Sequence, residues 1–155
     1  MADLLSVIVG GFIAVGGGAG MQWYLHHNKT KEERRSKRAA KFEELVTTIY
    51  EHDHWLTYMR NVRVFGAEDK HILSPMAKMK AISAVYFPEF NDRLRELDLA
   101  ADRFEQWMFE AGKVRLKEGA AAIEGHLEAR REYAERRHKL LGDLAHFAKE
   151  TLQQV

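Results

Sequence analysis

No cysteine occurs among the 155 residues, which excludes a disulfide framework, a thiolate nucleophile and a zinc site built on Cys. Proline is found only twice, at Pro75 and Pro88, so long helices are free to form on either side of them. Charge is missing from one end of the chain: all 24 Lys and Arg lie at or beyond Lys29, and Asp3 is the only charged side chain before it. A formal net charge of +1 thus averages a neutral head with a basic neck. No P-loop, dinucleotide fingerprint or Ser-His-Asp arrangement can be found, and no cofactor is implied. Segments with strand periodicity are lacking too. The abundance of Ala, Glu, Lys, Arg and Leu points instead to an all-α protein.

What is present begins with a run of 22 residues without a charge, Leu4 to Leu25. As a helix it would be roughly 33 Å long at about 1.5 Å per residue, enough to cross a hydrocarbon core of about 30 Å. Trp23-Tyr24 close the run like an interfacial belt. A secretory signal peptide would carry a basic start and a shorter apolar core, so a retained transmembrane helix is the favoured reading over a cleaved one. Seven cations follow at once: Lys29, Lys31, Arg34, Arg35, Lys37, Arg38 and Lys41. The positive-inside rule then predicts an inner (cytoplasmic) membrane protein that spans once, with its N-terminus outside and its C-terminal domain in the cytoplasm. The same cations suit contact with anionic lipids.

Six of the eleven glycines lie between Gly10 and Leu25, where they cost hydrophobicity. At about 100° per residue, Asp3, Ser6, Gly10, Ala14, Gly17 and Met21 share one stripe, with Gly18 and Gln22 beside it. Small residues let helices in membranes approach closely. Ser6, Gly10, Ala14, Gly17, Gly18, Met21 and Gln22 are therefore the expected contact surface of a homo-oligomer, and with enough copies the lining of a narrow pore, since one span encloses nothing.

The expected organisation is a transmembrane segment at 1-28, a basic juxtamembrane neck at 29-41 and a cytoplasmic helical bundle at 42-155. No Gly or Pro interrupts Met21 to Phe65, so the first bundle helix is able to continue directly from the span. Its apolar stripe is Phe42, Leu45, Ile49, His52, Leu56, Met59 and Val62. A loop is expected from Gly66 to Leu73, with Ser74 as N-cap and Pro75 as the first residue of a short helix ending near Tyr86. Phe90, Leu94, Leu97, Ala101, Phe104, Met108 and Ala111 define a helix over about 89–117. Ile123, Leu127, Arg130, Ala134, Arg137, Leu141, Leu144 and Ala148 define a last one ending near Gln153. Short connections between long amphipathic helices predict an antiparallel bundle.

Candidate chemistry is sparse. In "EHDHW", Glu51 to Trp55, His52 and His54 are two apart and point in different directions. Only Glu51 with His54 has the spacing of a helical metal pair, so no metal site is expected, and His52 is expected to be a hydrogen-bonded core residue. Arg131 and His138, in "REYAERRH", are two helical turns apart and share a face. There an Arg can hold a phosphate while a His moves a proton, the minimum for metal-independent cleavage of RNA. An Arg followed by His after six residues resembles the motif of the HEPN family of helical-bundle nucleases. The whole layout is similar to small bacterial membrane proteins with one N-terminal span and a HEPN-like domain, such as the membrane accessory proteins of RNA-targeting CRISPR systems. The resemblance covers the chain as architecture but only Arg131 and His138 as residues. It implies a homo-oligomer whose spans meet in a pore, a domain that answers to RNA or to a CRISPR effector protein, and depolarisation of the membrane during antiviral defence. Two other functions fit the same sequence: a membrane-anchored adaptor docking a cytoplasmic partner, and a membrane-tethered ribonuclease using Arg131 and His138.

Overall fold

A computed structural model describes the backbone of residues 2–120 and 123–152 and the side chains of residues 31–120 and 123–151. Among the described residues the chain is all-helical, without strands. Helix α1 runs Ala2–Phe65, α2 Met76–Tyr86, α3 Asn91–Glu118 and α4 His126–Phe147. A 3-10 turn, Pro88–Phe90, precedes α3, and a π-helical turn, Ala148–Leu152, follows α4. The chain divides into two compact units, Met1–Ala40 and Lys41–Val155. Among the described residues no helix is long and apolar enough to cross a membrane. The span expected at Leu4–Leu25 and its stripe of Ser6, Gly10, Ala14, Gly17, Gly18, Met21 and Gln22 lie outside the residues whose side chains are described, as does Lys29.

The second unit is a helical bundle. Contacts along the helices give its topology: Phe42 stacks on Phe147, His52 meets Tyr133, and Arg60 reaches His126, so α1 and α4 are antiparallel. Arg93 pairs with Asp143 at 3.0 Å and Trp107 Nε1 donates to the Glu124 carbonyl at 2.9 Å, so α3 and α4 are antiparallel as well. The core between them is formed by Leu45, Ile49 and Leu56 from α1, Leu94, Leu97, Phe104 and Met108 from α3, and Tyr133, Leu140 and Leu144 from α4. Every apolar position expected on the inner face of the third helix is buried, from Phe90 to Ala111. That helix has the cleanest 3-4 spacing in the chain, and burial of its stripe is what holds it, since propensity alone leaves a helix marginal. At the opposite end from Gly119, Phe42, Phe87, Phe90 and Phe147 pack edge to face or stacked, with centroids 5.4 to 6.0 Å apart.

The boundaries follow local chemistry. Pro88 opens the 3-10 turn, and Phe87 before it leaves the helical region, φ −143° and ψ 56°, which separates α2 from the turn. Gly119 ends α3 in the left-handed region, φ 71°, its N–H bonded to the Arg115 carbonyl at 2.9 Å. Helix α2 begins one residue later than expected, at Met76 with Pro75 rather than Ser74 as its N-cap, and the Ser74 hydroxyl accepts the Met76 N–H at 3.3 Å. The connection between α1 and α2 is strapped to α1 by the Tyr58 hydroxyl, which donates to Asp69 Oδ1 at 3.0 Å, and by Trp55 Nε1, which donates to the Ile72 carbonyl at 2.9 Å.

The last helix differs from expectation in phase. Gly125, at φ 74°, starts α4 only at His126, so Ile123 precedes it, and Ile123 and Leu127 are 65% and 78% exposed. The face that enters the core is Tyr133, Leu140 and Leu144, flanked by Ala129 and Phe147. Of the expected stripe, Arg130, Arg137 and Leu144 do face inward and Leu141 packs at the core's edge, whereas Tyr133 and Leu140 take the buried places expected of Ala134 and Leu141, one residue earlier. The ring of Tyr133 contributes far more apolar area than Ala134, and this decides which way the helix turns.

Two stability predictions follow. Leu97→Ala, which empties a fully buried site, should cost about 2–5 kcal/mol in urea unfolding. Gly112→Val should cost about 1–3 kcal/mol, because a Cβ there stands 3.0 Å from the Arg63 carbonyl oxygen where α1 and α3 cross.

Candidate functional site

Helix α4 presents two different faces of "RREYAERRH". Tyr133 points inward, with Arg130 and Arg137 flanking it three residues before and four after, so all three face α1. Arg131 and His138 are brought together on one face, as their two-turn spacing requires, and that face is solvent-exposed. Neither makes a side-chain hydrogen bond or ion pair among the described residues. Glu132, next to Arg131, is ion-paired to Arg103 of α3.

The inward face makes the most ordered polar cluster of the bundle. His52 and Tyr133 are each 1% exposed, and the Tyr133 hydroxyl lies 3.0 Å from His52 Nδ1. In the tautomer with its proton on Nε2, His52 accepts at Nδ1 and the phenol donates. Burial pushes the His52 imidazole down to about 4, with Asp98 and Asp53 opposing, and burial pushes the Tyr133 phenol up. Both groups are therefore neutral at pH 7, the state in which a buried pair loses least solvation. His52 also stacks on Trp55, ring centroids 5.6 Å apart. One residue along, the Asp53 carboxylate is ion-paired to Arg137 and lies 3.8 Å from Arg130.

A second cluster closes the other end of the α1–α4 seam. Arg60 Nη1 donates to His126 Nε2 at 3.3 Å, and the His126 ring packs on Trp107 at 5.2 Å. Burial, with Arg60 and Arg130 adding to it, lowers the His126 pKa. Trp107 in turn stacks nearly parallel on Phe104, centroids 5.7 Å apart.

These clusters hold helices together, and nothing in them is arranged as an acid and base on either side of an accessible cleft. Among the described residues no group of three or more His, Asp or Glu is placed to hold a metal. Glu51 and His54 are exposed beside Trp55, Tyr58, Ile72 and Leu73, in a shallow apolar groove. In the neck, Lys31, Arg34, Arg35 and Lys37 are exposed, Arg38 is half-buried and takes part in a polar interaction, and Lys41 donates to Glu44 at 2.6 Å. Lys41 is thus engaged by a carboxylate within its own helix. The ion cluster of Asp53 with Arg130 and Arg137 was not expected. The signal was the presence of Arg130 and Arg137 on an otherwise apolar stripe, which calls for a carboxylate opposite. Comparison with protein-family models, with curated proteins and with solved structures finds no match to this chain.

The two faces of α4 should respond differently to substitution. Arg131→Ala combined with His138→Ala should leave unfolding free energy within about 0.5 kcal/mol of wild type, whereas Asp53→Ala should lose about 1–3 kcal/mol by orphaning Arg137. Stability should also depend on pH. The folded pKa of His52 lies below its unfolded value of about 6.5, so the unfolded chain binds the proton first. Stability is retained above pH 6.5 and lost as pH falls towards 4, on the order of 2 kcal/mol between pH 7 and pH 5. Urea titrations at the two pH values should show this loss, and His52→Gln should remove most of it.

Proposed function

We propose that the chain is a single-pass protein of the inner membrane that assembles with copies of itself and perforates or perturbs the bilayer, with its helical bundle in the cytoplasm. The observation that carries the reading is the uncharged, glycine-rich run Leu4–Leu25, which falls within helix α1 and is followed by the cations Lys29 to Lys41. A helix backbone satisfies its own polar groups, the condition for residing in lipid. Glycines at Gly10, Gly17 and Gly18 lower the hydrophobicity of a segment with little to spare, and close helix packing is the physical gain that offsets this. The resemblance to HEPN-like membrane accessory proteins of RNA-targeting CRISPR systems adds a setting, antiviral defence, and a trigger, RNA or a CRISPR effector protein.

One observation favours a second reading, a membrane-tethered ribonuclease: Arg131 and His138 are both exposed and unpaired on one helix face, where a phosphodiester can reach them. The two readings separate cleanly. Gly17→Leu or Gly18→Leu should reduce the mass of the detergent-solubilised assembly and abolish depolarisation of cells expressing the protein, with Arg131→Ala and His138→Ala silent in both assays. A monomeric wild-type protein, or depolarisation that persists in the glycine variants, would remove the pore. Loss of RNA cleavage on replacing Arg131 or His138, with assembly intact, would establish the nuclease in its place.

A further inference from the structure

Where α1 ends at Phe65, α3 crosses it at Gly112, and a cleft of about 370 Å³ opens beside the crossing. Its walls are Met108, Phe109, Gly112 and Leu116, with Arg63, Lys113 and Arg115 around them. Phe109 and Leu116 are 54% and 78% exposed, so apolar surface is left facing water. The three cations are not equivalent. Arg63 lies 3.7 Å from the Glu105 carboxylate. Lys113 is paired with Glu110 at 2.9 Å and sits 4.3 Å over the Phe109 ring. The Arg115 side chain has no hydrogen bond and no ion pair among the described residues, and its Nε is buried without an acceptor.

Arg115 is nevertheless held in place. Its guanidinium fills the space a Cβ at Gly66 would need, beside the C-terminal end of α1 and in the last turn of α3. Two helix C-termini carry partial negative charge that favours a cation there, but they supply its N–H donors no hydrogen bond. A fixed guanidinium with open donors takes a carboxylate or phosphate in a two-pronged hydrogen bond. The exposed apolar wall next to it takes a hydrocarbon chain. A nucleic-acid strand would want several open cations in a row, and here two of the three already hold carboxylates. The volume is at the lower end of ligand sites, about 300–1,000 Å³, which suits one chain better than two.

We propose that the cleft between the last turns of α1 and α3 binds a single-chain amphiphilic anion, its head on Arg115 and its tail on Phe109 and Leu116. The same chemistry is offered by a free long-chain carboxylate or alkyl phosphate and by an anionic phospholipid contributing one chain.

The test is calorimetric titration of the full-length chain in nanodiscs of zwitterionic phospholipid, with empty nanodiscs as the baseline. Decanoate and decyl phosphate should each bind saturably, and decanol and acetate about tenfold more weakly or worse, because head and tail are both needed. Arg115→Gln should weaken both anions about tenfold or more and leave decanol unchanged. Leu116→Ser, a change at an exposed side chain that leaves the core intact, should weaken decanoate with no change in melting temperature. Replacing part of the nanodisc lipid with phosphatidylglycerol distinguishes the sources: competition with decanoate assigns the site to a bilayer lipid, and its absence assigns it to a free amphiphile. No saturable binding of either anion, or equal affinity in the wild type and Arg115→Gln, would overturn the proposal.

Discussion

The bundle depends on the hydrogen bond between His52 and Tyr133. Both side chains are nearly inaccessible, so each polar atom must find its partner inside the protein, and leaving one unpaired costs about 1–3 kcal/mol. Together with burial of the Tyr133 ring, this demand selects one rotation of α4 against α1. A turn of a single residue, about 100°, would carry the phenol out of reach of the imidazole. Once that rotation is set, Arg130 and Arg137 face Asp53, and Leu140 and Leu144 enter the core. Arg131 and His138 are left on the outside by the same choice. The electrostatic arrangement is subordinate to it: partly exposed pairs such as Arg93 with Asp143 and Arg136 with Glu96, each 3.0 Å, contribute at most about 1 kcal/mol.

The placement of Arg131 and His138 bears on chemistry in a specific way. A catalytic His is most effective when burial or a neighbouring charge tunes it, and burial lowers the pKa of both His52, enclosed in the core, and His126, half-buried at the seam of α1 and α4. His52 lies against Tyr133 and Trp55, and His126 lies against Arg60 and Trp107, so neither is aimed at an open cleft. The perturbed groups are thus structural, and Arg131 and His138 are accessible, without a side-chain hydrogen bond or ion pair among the described residues. This division supports a bundle whose interior serves cohesion and whose surface serves contact. The half-buried, unpaired guanidinium of Arg115 and the exposed Phe109 and Leu116 belong to that surface.

Much of the fold was legible before any coordinates. Apolar residues at three- and four-residue intervals marked α1 beyond Phe42 and all of α3, and Pro88 and Gly119 marked α3's ends, because helical periodicity and backbone restriction are local properties. The strand-free composition gave the class for the same reason. Legibility failed at α4, whose stripe holds two arginines and whose true start depends on a second glycine, Gly125. A periodic pattern of mixed Arg, Ala and Leu can be placed in more than one phase, and local spacing does not rank them. The candidate site was legible only as a pair of residues on one face. Which face that was, and that Asp53 would sit between Arg130 and Arg137, required the partner helix.

The sequence by itself determined an all-helical chain, an uncharged run ahead of a basic neck, a hydrogen-bonded core histidine at position 52, and the absence of cysteine chemistry. Each of these is a matter of composition or of spacing along one helix. Only the tertiary structure decided that Tyr133 is the partner of His52, that Arg131 and His138 look outward, and that Arg115 lies over Gly66 without a hydrogen-bond partner among the described residues. These are contacts across 81 and 49 positions of chain in two of the cases. No local rule reaches that far, because such pairings are set by which faces of separate helices bury the most apolar surface together.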